Sequence, residues 1–467
     1  MVTKCVLCLM GRAHRLRFLV GCAASILVAL HTLASGAGPA ATESLAGNIQ
    51  PHASNLATTR GTASPAPEKG GQVNVKTYGA VGDGATNDTP AFDAALKSLA
   101  NTGSGVCLVP KGTYLISASG ITSRVKSGIH LVGEGRGVSI LKVVAMPTAA
   151  LVWGDGDNWS VENLTFDMGD YTPTPVGFPA VACKGNNWRV SNCAVVKSGR
   201  WGVAAFGGSN WSIEGNSIHR TVPGAMPPTG AILVTAQKGV WSSHGRVADN
   251  VCEGAGISFS GTDGIIFHNR VNGSGSGSGI FVQGSPSTRS PTIIGNVCTG
   301  GGSGHDGALG GKWASVTGFE IWAPDAVVCD NTAQDNDAGG IAIGGQNSIV
   351  IANTAYNNGR AHAGFGGFAA RVNPNRGASA SHSIFIGNSS HGQDYGYLEQ
   401  AAGLTDIKHF GNDYNRNRVG PIKSRAPRGS AVAAQVSPDM KSKLNALAGD
   451  ADLSDNARRA LRTYLAR

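Results

Sequence analysis

Trp159-Ser-Val-Glu-Asn163 opens a pattern that the chain states ten times: an apolar residue followed within two to four positions by Asn. It returns as Trp188-Arg-Val-Ser-Asn192, Ile213-Glu-Gly-Asn216, Val247-Ala-Asp-Asn250, Ile266-Phe-His-Asn269 and Ile293-Ile-Gly-Asn296. It continues as Val328-Cys-Asp-Asn331, Val350-Ile-Ala-Asn353, Phe385-Ile-Gly-Asn388 and His409-Phe-Gly-Asn412. Successive Asn residues lie 19 to 35 residues apart. A short segment recurring at such intervals marks a solenoid. Asn suits a turn because it tolerates positive φ and bonds backbone groups locally. Stacked copies can also bond to one another as a ladder. Ten coils at about 4.8 Å each predict a rod roughly 45 Å long.

A second pattern falls between those markers, in which Gly precedes alternating apolar residues. Examples are Gly202-Val-Ala-Ala-Phe206, Gly230-Ala-Ile-Leu-Val234, Gly256-Ile-Ser-Phe-Ser260 and Gly279-Ile-Phe-Val-Gln283. Further on come Gly318-Phe-Glu-Ile-Trp322, Gly340-Ile-Ala-Ile-Gly344 and Gly367-Phe-Ala-Ala-Arg371. Each coil thus carries at least two short period-two strands bounded by turn residues. The expected fold is all-β: a single-stranded parallel β-helix in which each strand pairs with its counterpart one coil on.

Composition agrees. Gly numbers 68 and charged residues are only 14%, which suits tight turns on a repetitive scaffold rather than disorder. The Gly residues have no three-residue period, which excludes collagen. Net charge is +9; without the four basic residues of the first 37 positions it is +5. That balance favours an anionic partner, and acidic polysaccharide fits an exported chain better than nucleic acid. Residues 1–17 are basic, Phe18–Leu33 is apolar apart from His31, and Ala34-Ser-Gly-Ala37 is small. This is the order of an export signal, so 1–37 is read as a signal peptide and the protein as secreted or periplasmic, with no membrane attachment after its removal. Residues 38–71 read as a flexible linker, 72–424 as the β-helix and 425–467 as a tail of short helices. Cys107, Cys183, Cys193, Cys252, Cys298 and Cys329 fall where other coils carry Val or Ile, and are expected as buried thiols. No Cys/His spacing suggests zinc.

Tyr78-Gly-Ala-Val-Gly-Asp-Gly-Ala-Thr-Asn-Asp-Thr-Pro-Ala-Phe-Asp-Ala-Ala-Leu96, followed by Val106-Cys-Leu-Val-Pro-Lys-Gly-Thr-Tyr-Leu-Ile116, resembles the opening of the pectate lyase-like superfamily, with its rhamnogalacturonase/epimerase-type motif. The resemblance covers 72–117 and implies a right-handed β-helix closed at its amino end by a capping helix. It also implies an exported enzyme acting on a polysaccharide in a groove on the outer face of one sheet. Asp88 or Thr89 can cap that helix ahead of Pro90, and Phe92, Ala95, Leu96 and Leu99 form its apolar face. Asp83 and Asp88 are read as turn and cap residues. The Asn-Thr-Asp, paired-Asp, Gly-His-Gly and Arg-Ile-Lys set of polygalacturonases is absent, Ser243-His-Gly245 and Ser390-His-Gly392 being fragments of it. The Asp-Pro-His-Asp motif of mannuronan epimerases is absent too, with Ala323-Pro-Asp-Ala326 a faint echo.

In the Gly-led strands the second and fourth residues after Gly should face outward. Those positions hold Ser258, Ser260, Phe281, Gln283, Glu320, Trp322 and Arg371, flanked by Ala204, Ile232, Ala342 and Ala369. Long insertions beside them contain Asp263, His305, Asp306, Lys312, Trp313, Arg360 and His362. Glu320 is the first candidate for acid or base, Asp306 for a second carboxylate and His305 for a proton carrier. Lys312 and Arg371 could hold a substrate carboxylate. Trp322 and Trp313 could stack on sugar rings, with Gln283, Ser258, Ser260 and Asp263 as further substrate contacts. A lyase needs a base and a cation for the uronate carboxylate; a hydrolase needs two carboxylates. No residue set demands a cofactor; Ca²⁺ is compatible. The rival reading is a non-catalytic carbohydrate-binding surface protein on the same scaffold.

Overall fold

The basic move of the chain is visible between Ser160 and Asp167. Ser160–Glu162 is a strand, Asn163 and Leu164 turn a corner, and Thr165–Asp167 is the next strand. Val161, Leu164 and Phe166 point into the core while Glu162 and Asp167 reach the surface. Repetition of that move produces a β-helix of three parallel walls. The computed structural model describes residues 71–424, apart from 170–177, 199–200, 221–229, 274–276, 285–286, 302–316, 361–363, 374–376 and 401–402, together with 442, 444, 445, 448, 449 and 453–466.

Among the described residues wall one has thirteen strands, from Gly71–Asn74 to Lys408–Phe410, and wall three has thirteen, from Asp83–Asn87 to Asp413–Arg416. Wall two has eleven, from Val152–Asp155 to Gly420–Lys423. Neighbours within each wall are parallel and in register, as in Val181↔Val203 and Ile293↔Val328, apart from shifts in the first and last pairs of wall three. Twelve spacings make the stack roughly 58 Å long. That exceeds the length expected from ten Asn markers because the coils before Trp159 turn without that Asn.

The corner between walls one and three explains the Asn pattern. It has two residues. The first adopts positive φ, as at Asn163 (58°), Asn192 (51°), Gly215 (63°), Asp249 (54°) and Gly295 (64°). In the first two of these coils Asn occupies this left-handed position. From Asn216 onward Asn occupies the second position and turns inward. There Asn216, Asn250, Asn269, Asn296, Asn331, Asn353, Asn388 and Asn412 form a ladder, each Nδ2 donating to the Oδ1 of the next at 2.9–3.0 Å. Each of these amides also donates to a backbone carbonyl, such as Asn296 to Ile266 at 2.9 Å. Buried polar groups stay only when so satisfied. A second ladder, unseen in the sequence, joins Asn336, Asn358, Gln393 and Asn417 at the corner that follows wall three, at 2.7, 3.0 and 3.3 Å.

The core is stacked in the same way. Trp159, Trp188 and Trp211 lie ring on ring, 5.3 and 5.1 Å apart and nearly parallel. All three are fully buried, so they are scaffold. The six described cysteines are buried and form no disulfide with one another, and burial pushes the Cys107, Cys193 and Cys252 thiols up to about 12.

Helices cover the first coil and one side of the late coils. Helix α1 (Thr89–Thr102) closes the first coil with Phe92, Ala95, Leu96 and Leu99. Asp88 precedes it but makes no side-chain cap bond. Its carboxylate instead accepts the backbone N–H groups of Val81 (2.7 Å) and Gly82 (3.2 Å), while Asp83 closes a turn onto Ala85 and Thr86. Helix α2 (Asp455–Leu465) is capped by Ser454, which is itself held by Asp330 at 2.6 and 2.7 Å. Leu453, Ala457 and Leu461 pack on Val327, Ile349, Ile351, Ile384 and Ile386, on the outer face of wall one. The helix expected over 437–447 and the leader and linker before Gly71 lie largely or wholly outside the described residues.

Candidate functional site

Alternation along wall two decides what faces outward. Ser258, Phe281, Glu320, Ala342 and Ala369 occupy one column, each the Cα partner of the next. Leu233, not Ile232, continues it: Ile232 is fully buried in the core and pairs with Ile257. The Gly-led pattern starts one residue earlier in that coil, at Gly230-Ala231, so counting from Gly230 reverses the faces. Gln283, Trp322, Gly344 and Arg371 lie two residues further along their coils, beside this column.

Three groups converge on Glu320. Ser278 Oγ donates to Oε2 at 2.9 Å. Trp322 Nε1 and Arg371 Nη1 donate to Oε1 at 2.8 and 3.2 Å. Arg371 reaches back across two strand spacings, roughly 10 Å, and the intervening coil presents only Ala342 and Gly344. Gly344 is required there: a Cβ would lie 2.1 Å from the Trp322 indole. Arg371 is 5% exposed. Burial draws its guanidinium below the ordinary Arg value and the Glu320 carboxylate opposes this. Its Nε and Nη2 have no hydrogen-bond acceptor among the described residues. Buried donors left unpaired are costly, and both of these atoms are sealed from solvent, so Arg371 acts on the site as a fixed positive charge behind Glu320.

The structure corrects three expectations. Trp322 is only 6% exposed and its N–H is committed to Glu320, so it supports that carboxylate rather than offering a face to a sugar. Half-buried Phe281, the strand partner of Glu320, is the nearer aromatic surface. Ser260 is 2% exposed and bonded to Thr288 Oγ1 at 3.0 Å, which removes it from the surface. Asp263 sits at φ 51° in the corner between walls two and one, 3.9 Å from His244 Nε2, and is a turn residue. Asn158, Asn187, Asn210, Asp325 and Asn347 hold the same left-handed conformation. Ser258 and Gln283 remain half-buried on the outer face near Glu320. His305, Asp306, Lys312, Trp313 and His362 lie outside the described residues. Ser278 was not foreseen: it belongs to the Ser/Gly run 273–279, which reads as linker. Among the described residues no three His, Cys, Asp or Glu side chains are grouped to hold a metal. Nor is any helix there long and apolar enough to cross a membrane.

Residues 72–147 match the family described as rhamnogalacturonase A/epimerase, pectate lyase-like. The chain is a parallel β-helix whose first coils carry that family's sequence. Its structure is similar to the A-module of the mannuronan C-5 epimerase AlgE4 of Azotobacter vinelandii, with a TM-score of 0.59 at 18% identity, over 77% of this chain and 100% of that one. In sequence it is 32% identical over 106 residues to the mannuronan C5-epimerase AlgE3 of the same organism, covering 22% of this chain and 6% of that one. It is 38% identical over 77 residues to alginate lyase 7, also from A. vinelandii, covering 16% and 9%. The matches thus span less than a tenth of the length of those two curated relatives.

Proposed function

We propose that this β-helix is an exported enzyme that modifies or cleaves an acidic, uronate-containing polysaccharide lying along the outer face of wall two. The observation that carries the reading is the single outward carboxylate of its column, Glu320, braced by Ser278, Trp322 and the buried cation Arg371. Sequence relatives named for mannuronan epimerisation and alginate cleavage support the choice of a uronate. Both of those reactions begin by removing the proton beside a sugar carboxylate. The chemistry needs a base within reach of that proton and positive charge to offset the developing enolate. Glu320 would be the base. Arg371, buried behind Glu320, would offset the developing negative charge as a fixed cation rather than by direct contact. Phe281 would lie under a neighbouring ring. The signal read in residues 1–37 would deliver the protein to the periplasm or beyond.

The test is to incubate the full-length protein with a panel of polyuronates and score unsaturated ends by ultraviolet absorbance and epimers by NMR. Either product should form, and Glu320→Gln should abolish it. Binding of polyuronates without any product would instead favour the non-catalytic glycan-binding reading, and Glu320→Gln with unchanged turnover would remove Glu320 from the reaction.

A further inference from the structure

Wall two carries a second cluster outside the Glu320 site, at its amino-terminal end. Trp153 faces outward on Val152–Asp155, and Phe206 faces outward two coils later on Val203–Phe206. Their rings are parallel, 6° apart in plane and 6.0 Å between centroids. The strand between them presents Ala182 and that of Phe206 presents Ala204, which leaves room for the rings to lie against the wall. Arg124 stands 4.9 Å from the Trp153 ring centre and is ion-paired to Asp155 at 2.8 Å, which fixes the indole from its other side. Lys184, the strand partner of Asp155, has no ion pair among the described residues. Beside Phe206 a two-residue hairpin closes through mutual Gln237 and Val240 backbone bonds, with Lys238 and Gly239 at φ 50° and 80°. Positive φ at both positions makes it a tight, stiff turn. Its arm ends at exposed Trp241, whose carbonyl accepts the Gly208 N–H at 3.2 Å.

The scaffold aromatics of this protein are inside, in the Trp159–Trp188–Trp211 stack. An ordered aromatic cluster on the outside, edged with cations, has no such structural duty. We propose that Trp153, Phe206 and Trp241, with Arg124, Lys184 and Lys238, form a remote subsite that holds an acidic segment of the same polysaccharide. This rests on the reading of wall two as a glycan groove, and extends it to a requirement for long substrates. The part-exposed edges of the Trp153–Phe206 pair and the exposed Trp241 ring suit the apolar surface of sugars, and the cations suit uronate carboxylates. Trp153 and Glu320 share one outward column and are six strand spacings apart, roughly 29 Å. A chain of several sugar units would be needed to occupy both.

Calorimetric titration of the full-length protein with acidic oligouronates of graded length tests this. Wild-type affinity should rise sharply once the oligomer is long enough to bridge both places. Trp153→Ala should weaken the long oligomers by about tenfold, near ~1.4 kcal/mol, and leave the short ones unchanged. Lys184→Gln, a conservative surface change, should lower the same long-chain affinity and flatten its salt dependence, and so serves if Trp153→Ala fails to fold. Affinity independent of length, or long-chain affinity untouched in either variant, overturns the remote subsite while leaving the Glu320 reading standing. Failure of the wild type to bind an oligouronate of any length overturns both.

Discussion

The corner between walls one and three and the outer face of wall two are built by opposite rules. At the corner the same side chain recurs in eight successive coils, Asn216 to Asn412, and each but the last donates to the next. On wall two the outward column varies, and across the site it runs from Ser258 to Phe281 to Glu320 to Ala342. Repetition is what a stack needs, because each coil is the next one's only partner. A site needs singularity. The one outward carboxylate of that column is also the one that gathers a buried Arg, a Trp N–H and a Ser hydroxyl. In this protein the repeated polar residues are architecture, and the unrepeated one is the candidate for chemistry.

Substitutions can break that division. The largest effect is expected at Glu320→Gln, which retains an oxygen acceptor for Trp322 or Arg371 but is no base. Turnover on polyuronates should fall by about 10²–10⁴-fold while unfolding stays cooperative. Trp188→Ala should do the reverse. It removes the middle of the indole stack and should cost about 3–5 kcal/mol in denaturant unfolding, with turnover per folded molecule unchanged. Asn296→Ala should cost about 2–4 kcal/mol, because it strands the Asn269 backbone N–H and one side-chain N–H of Asn269 and takes a donor from the Ile266 carbonyl. If Asn296→Ala instead left stability intact and reduced turnover, the ladder would be functional and the division would fail.

The smallest expected effect is a pH dependence at the carboxyl-terminal end. His409 packs among Phe385, Tyr397 and Tyr414. Burial lowers its pKa to about 4, with Glu399 opposing. The folded state therefore binds this proton less readily than the unfolded chain. Its stability should be full above about pH 6.5 and decline as pH falls towards 4, by roughly 2–3 kcal/mol. His409→Phe should flatten the stability–pH profile in that window; an unchanged profile would assign it elsewhere.

The fold was legible because its two periodic signals are direct physical requirements. Asn at Asn216 and its successors is needed in each coil, and Gly followed by alternating residues marks the wall-two strands. The first and last turns of the solenoid were less so. Asp88 looks like a helix cap in sequence, yet its carboxylate serves Val81 and Gly82. Ile349-Val-Ile351 is buried on both faces, and what covers its outer side, Ala457 and Leu461, is over a hundred residues away. The site was half legible. Glu320 and Arg371 follow from alternation, since the period-two rule needs only the strand. Ser278 and Gly344 do not: one lies in a linker-like run, and the other matters only because the Trp322 ring lies across it. Ile232 shows how one residue of register at Gly230 exchanges inside for outside.

The most direct test of wall two as the working face is hydrogen exchange into the substrate. A polyuronate incubated with the wild-type protein in D₂O should gain deuterium at the carbon beside the carboxylate, read by NMR, and Glu320→Gln should suppress that gain by at least about 100-fold. Deuterium entering equally with both proteins would contradict Glu320 as the base, and the absence of any incorporation or cleavage with the wild type would contradict proton abstraction on this face altogether.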